Sequence, residues 1–150
     1  MFRKLLTLIL FAGTLFASEV DLHSPNSAVL SYYEALNEGD LAALEKIMVQ
    51  ASFDMDVQVY ALSIALNDPD FHTILKQYAN SPEARDIVKK EVTKKLRSRS
   101  KRAATDLYAI SIGFDREMVR FKEDGKMKQL YLSKHETSWK IDYKAGRKTN

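Results

Sequence analysis

The stretch "ATDLYAISIGFDREMVRFKEDGKMKQLYL", residues 104–132, decides the fold, because here the apolar spacing drops from the 3.6 residues of a helix to two. Tyr108, Ile110, Ile112 and Phe114 alternate with smaller residues, then Val119 with Phe121, then Leu130 with Leu132, and Trp139, Ile141 and Tyr143 repeat the pattern further on. Asp124-Gly125 falls between two of these runs. Both central positions of a two-residue hairpin turn need positive φ, which this pair tolerates. The spacing predicts a meander of four antiparallel strands from Ala104 onward. Alternation also means that one face is buried, and the only layer available to cover it is the chain that precedes it.

That chain reads as helix. Ser24-Pro25, Asp68-Pro69 and Ser81-Pro82 each set an oxygen-bearing N-cap before a proline at the first helical position, where its missing N–H costs nothing. After the first, Val29, Tyr32, Tyr33 and Leu36 form one stripe that stops at Gly39. Asp40 can cap a second helix facing inward through Leu41, Leu44, Ile47 and Met48. Residues 52–66 read two ways: Met55, Val57 and Val59 alternate like a strand, while Val57, Tyr60, Ala61 and Ile64 suit a helix, and the length favours helix. Phe71, Ile74, Leu75 and Tyr78 make the next stripe, and Ala84, Ile87, Val88, Val92 and Leu96 the last. The fold class expected is α+β, with N-terminal helices packed on a curved, mainly antiparallel four-stranded C-terminal sheet.

The first residues are expected to lie outside this body. "MFRKLLTLILFAGTLFAS" carries Arg3 and Lys4, an apolar run from Leu5 to Phe16 and a small residue at Ala17, the layout of a secretory signal peptide (residues 1–17). The run is shorter than the roughly 20 residues that span a bilayer. A periplasmic address is the expectation, with residues 18–150 as a single domain whose tail, "KAGRKTN", is frayed. No cysteine occurs, so disulfides, thiol chemistry and a lipid-modified cysteine are excluded. Without Arg3 and Lys4 the basic and acidic residues nearly balance, yet Lys89 to Arg102 holds eight basic residues against one acid. Lys90, Lys94, Arg97 and Lys101 fall on the outward face of the last helix, which makes the run a solvated helix back or a patch for anionic lipid or an acidic partner. No aromatic residue lies within it to stack on bases, so nucleic acid is not an expected partner.

The segment "Y-x-x-x-L-x-x-G-D-L" from Tyr32 to Leu41, the hairpin "VRFKEDGKMKQLYL" and a final strand with Trp139 resemble the nuclear transport factor 2-like superfamily. The resemblance covers roughly residues 25–56 and 104–144. It implies helices against a strongly curved sheet, enclosing an apolar pocket. The middle departs from the pattern, since the family usually has a strand and a single helix where this chain has about forty residues of helix. The steroid isomerases of that superfamily use a carboxylate base with a tyrosine and a protonated acid as oxyanion donors. Counted from Gly39, Tyr32 matches their tyrosine and Asp56 their base; counted back from Gly125, Glu117 matches their acid, where the family has Asp. Asp54 competes with Asp56 for the same role.

Three readings follow. The first is an exported, non-catalytic binding or accessory module, taking a small apolar ligand in a pocket walled by Tyr32, Tyr33, Phe53, Tyr60, Ile110, Ile112, Phe121, Trp139 and Tyr143. The second is an enzyme moving a proton next to a carbonyl, with Asp56 as base and Tyr32 and Glu117 as donors. The third is a homodimer formed through the open sheet face, with the basic helix against a membrane surface. His23, His72 and His135 are isolated, so no metal site is expected, and no motif calls for a cofactor.

Overall fold

The computed structural model describes residues 19–147, and the expected signal segment lies outside them. Five helices precede the sheet: α1 (Pro25–Glu38), α2 (Leu41–Ile47), α3 (Gln50–Ala65), α4 (Pro69–Lys76) and α5 (Pro82–Arg97). Four strands follow, β1 (Ala104–Gly113), β2 (Arg116–Glu123), β3 (Lys126–His135) and β4 (Ser138–Ile141). They form an open antiparallel sheet in the order β1-β2-β3-β4, so the fold class is α+β. Residues 52–66 are helical almost throughout. None of the described helices is long and apolar enough to cross a membrane.

The caps explain where the helices start. Ser24 Oγ accepts from Ser27 N at 3.1 Å while Ser27 Oγ accepts from Ser24 N at 3.1 Å, a reciprocal box that satisfies two orphan N–H groups of α1. Asp40, Asp68 and Ser81 accept in the same way from Ala43, Phe71 and Ala84. Gly39 ends α1 in the left-handed conformation at φ 65°, and its N–H reaches the last carbonyls of the helix. The hairpin turn Asp124-Gly125 has positive φ at both positions, 51° and 75°.

Helix α1 lies on the sheet against β1, β2 and β4; α5 packs on α1 and α3, and α4 on α3 and α5. Phe53, Leu44, Ile47, Met48, Val88, Val92 and Leu96 from the helices meet Val119, Phe121, Leu132 and Ile141 from the sheet in one core. Met48 leaves α2 in extended conformation and forms a parallel bridge with Ile141, Val49 N donating to Ile141 O at 2.9 Å. This clamp ties the start of α3 to the edge of the sheet.

Three expectations are corrected. Ile110 and Ile112 do not face the helices: Ala109 pairs with buried Val119 and Ile110 with Met118, and paired residues share a face. The cause is a bulge between Thr105 and Tyr108, where Asp106 (φ 54°) and Leu107 stand opposite Phe121 alone; the extra residue inverts everything after it. Leu107 packs on the core instead, and Ile112, unpaired in a second irregularity between Ser111 and Gly113, is 37% exposed. Ile87, expected on the inward stripe of α5, is exposed. The tail is not frayed up to Arg147, since Ala145 is buried and its N–H bonds Asp142 O at 3.0 Å.

Candidate functional site

Successive residues on a helix point about 100° apart, so Tyr32 and Tyr33 of α1 serve different partners. Tyr32 turns toward α3 and the segment after β4. There Asp56 receives two hydrogen bonds, from Tyr32 Oη to Oδ2 at 2.8 Å and from Tyr143 Oη to Oδ1 at 2.8 Å. The two phenol oxygens are 3.4 Å apart. Tyr143 is not part of β4, which ends at Ile141; its backbone N donates to Ser52 Oγ at 3.0 Å, which aims the ring at α3. The three groups come from sequence positions up to 111 residues apart and close into one acid–phenol triad.

Burial pushes the Asp56 carboxyl above the ordinary aspartate range, and the bonds from Tyr143 and Tyr32 oppose that rise without cancelling it. Burial also pushes both phenols up, reinforced by the Asp56 charge. Tyr32 and Tyr143 therefore stay protonated and act as donors. A phenol has one hydrogen, and both are spent on Asp56. Neither remains for a substrate oxyanion, although each Asp56 oxygen keeps a second lone pair that can accept a proton.

Tyr33 turns toward the sheet. Its ring meets Phe121 edge-on at 5.5 Å, and its hydroxyl donates to Glu123 Oε1 at 3.1 Å. Glu123 is buried, with Arg102 Nη1 at 3.6 Å from the same oxygen. Arg102 is held in turn by Asn37, which donates to its carbonyl at 2.7 Å and accepts from its N–H at 2.9 Å. Burial, then the Glu123 charge, raises the Tyr33 phenol as well.

Tyr60, one turn beyond Asp56 on α3, lies close enough to Tyr32, Tyr33 and Tyr143 to act on all three electrostatically. Arg99, just past α5, stacks on its ring at 5.0 Å and donates from Nη1 to its hydroxyl at 2.9 Å. The Arg99 Nε is buried with no partner, and no carboxylate among the described residues pairs with this guanidinium. Nε and the outer Nη form the edge that takes a carboxylate side-on. The Tyr60 hydroxyl hydrogen is also unspent among the described residues. A cleft of about 430 Å³ lies between α3 and α5, lined by Ser63, Ile64, Lys94, Lys95 and Ser98 together with the acids Asp68 and Glu91.

The structure thus brings together Tyr32, Asp56, Tyr60 and Tyr143, with Tyr33 and Phe121 beside them. Phe53 is in the core under Lys89, whose Nζ is 5.5 Å from the ring centre, and Trp139 packs on the core's edge near Leu22, whose carbonyl accepts its N–H at 2.9 Å. Glu117 is not brought in. It pairs across the sheet with exposed Ser111 and makes no side-chain hydrogen bond among the described residues. Asp54 accepts from Gln50 at 3.0 Å on a different side of α3. Lys90, Lys94 and Lys101 are exposed, Lys94 pairs with Glu91, and Arg97 Nε donates to the Glu38 carbonyl at 3.1 Å, which locks α5 to the end of α1.

Sequence reasoning did not single out Glu123, Arg99 and Arg102. Glu123 could have been found, because it sits two residues after Phe121 on the same strand face. No family model matches the chain, and searches of curated proteins and of solved structures find no match either.

Proposed function

We propose that the chain is an exported, non-catalytic binding module that takes a small, largely apolar ligand with an anionic head beside Tyr60 and Arg99, where α3 meets the end of α5. The observation that carries this reading is the pair of unspent donors at Tyr60 and Arg99 beside a triad whose hydrogens are all in use. A buried guanidinium Nε without an acceptor is costly, and a carboxylate would fit the fork that it forms with the outer Nη. Because Nε is out of reach of solvent, the head group enters with a shift of residues 98–103, which form neither helix nor strand and are tied at Arg102 by Asn37. The nuclear transport factor 2-like resemblance belongs to the same proposal, since the order of helices and then sheet is in keeping with it.

Octanoate, with octanol as the uncharged control, tests the reading by thermal shift and calorimetry. Octanoate should stabilise the protein more than octanol does. Arg99→Met should remove the difference and Arg99→Lys retain part of it. If neither amphiphile binds, the module reading falls.

One observation favours the proton-transfer reading: Tyr32 and Asp56 meet, and burial holds the carboxyl up in the direction a general base at neutral pH needs. Its weakness is that the Tyr32 hydrogen is committed to that same carboxylate. Turnover of carbonyl substrates that is abolished in Asp56→Asn and slowed in Tyr32→Phe would bring it to the front.

A further inference from the structure

Helix α3 is apolar on both sides. Phe53, Val57, Ala61 and Ala65 face the core, yet Met55, Val59, Leu62 and Leu66 on the opposite side are 46%, 58%, 52% and 84% exposed. An all-round apolar helix is ordinarily a buried one, so this element lacks a neighbour on its outer side. The exposed four recur at steps of four, three and four, the narrow seam of a two-helix coil, with β-branched Val59 followed by Leu62 as one layer and the next. No charged residue occurs from Val57 to Asn67. Beside the seam a cleft of about 200 Å³, lined by Leu62, Leu75, Tyr78 and Ala79 among others, offers a hole for an incoming side chain.

We propose that the outer seam of α3 pairs antiparallel with the same seam of a second copy. A two-fold axis near the Tyr60–Ala61 level sets Val59 against the partner's Leu62 and Met55 against the partner's Leu66. The four seam residues are uncharged, so the middle of the seam brings no like charges together when it meets itself, and the acids Asp54 and Asp68 lie only at its ends. The outer face of the sheet also exposes Tyr108 and Met127, but Arg116, Arg120 and Lys140 share that face, so self-pairing there would crowd cations. The spacing suits a helix better than a bilayer, which would call for a broader face and cations on the same helix. The four side chains expose on the order of 400 Å² per copy, so a pair with its rims buries roughly 1,000 Å², the lower limit for a specific interface. An interface at that limit belongs to the weak, reversible class.

Sedimentation equilibrium of the full chain tests this, with Leu62→Glu as the variant; Leu62 is half-exposed, so the circular dichroism spectrum should not change. The parent should show a reversible dimer and Leu62→Glu a monomer. The absence of cysteine gives a clean background for crosslinking. A mixture of Val59→Cys and Leu62→Cys chains should form a disulfide-linked dimer much faster than Met55→Cys chains alone, whose thiols lie at opposite ends of the seam. A parent that is monomeric at about 100 µM overturns the proposal. So does a dimer that survives Leu62→Glu, which would move the interface to another face or to residues outside those described. Binding of the monomeric parent to phosphatidylcholine vesicles, lost in Leu62→Glu, would overturn it in favour of a bilayer.

Discussion

Removing one phenol from the Asp56 triad tests how the site is held. Tyr32→Phe keeps the ring and deletes the donor to Oδ2, leaving Asp56 with Tyr143 alone. A hydrogen bond to a charged group contributes about 1.5–3 kcal/mol, and Tyr32 is buried, so little water can replace it. At roughly 3–5 °C per kcal/mol for a domain of this size, Tm should fall by about 5–15 °C at pH 7. Tyr143→Phe should cost less, since Tyr143 is only half-buried. The pH dependence follows from the raised Asp56 carboxyl. The native state holds this proton more tightly than the unfolded chain, so the contribution of the group is present below the unfolded value and lost as pH rises through the folded one. Tyr32 opposes that rise, so deleting it pushes the folded value higher and extends the loss to higher pH. The gap between parent and Tyr32→Phe should therefore be wider at pH 7 than at pH 4. Urea titrations at both values decide the matter: a gap under about 0.5 kcal/mol, equal at the two pH values, would refute an ionised Asp56 supported by Tyr32.

Three further substitutions probe the frame around the site. Gly39→Ala should cost about 2 kcal/mol or more in urea unfolding: φ is +65°, and an added Cβ would come 3.0 Å from the Thr93 carbonyl and 2.9 Å from Arg97 Cγ, pressing on α5. Tyr33→Phe leaves buried Glu123 with Arg102 at 3.6 Å and should lower stability by about 1–2 kcal/mol in urea unfolding; an unchanged midpoint would mean that Arg102 alone satisfies Glu123. Ser81→Ala removes the acceptor for Ala84 N and should cost about 1 kcal/mol; an unchanged urea midpoint would mean that water caps α5 equally well.

How far the sequence could be read depended on the span of the interaction behind each feature. The caps at Ser24, Asp68 and Ser81 and the turn at Asp124-Gly125 are decided by side chains within four residues, and all four are where the sequence puts them. The facing of β1 depends on register accumulated along the strand. Tyr108, Ile110 and Ile112 alternate faultlessly, and nothing in that alternation reveals that the bulge at Asp106 has already reversed it. The inward residues of β1 are then Ala104, Leu107, Ala109 and Ser111, and the last two are small and exposed. Beyond Leu107 the helix-facing side of this strand offers nothing large and apolar for α1 to cover. Glu117, paired with Ser111, sits at that uncovered end, which is why counting back from the hairpin glycine located its strand but not its surroundings. Tyr32 and Asp56 meet because Met48 and Val49 clamp the start of α3 to Ile141, and Tyr143 joins them through Ser52. These are contacts across about ninety residues or more. Periodicity assigns each partner a face of its own element, and only the packed chain determines which faces meet.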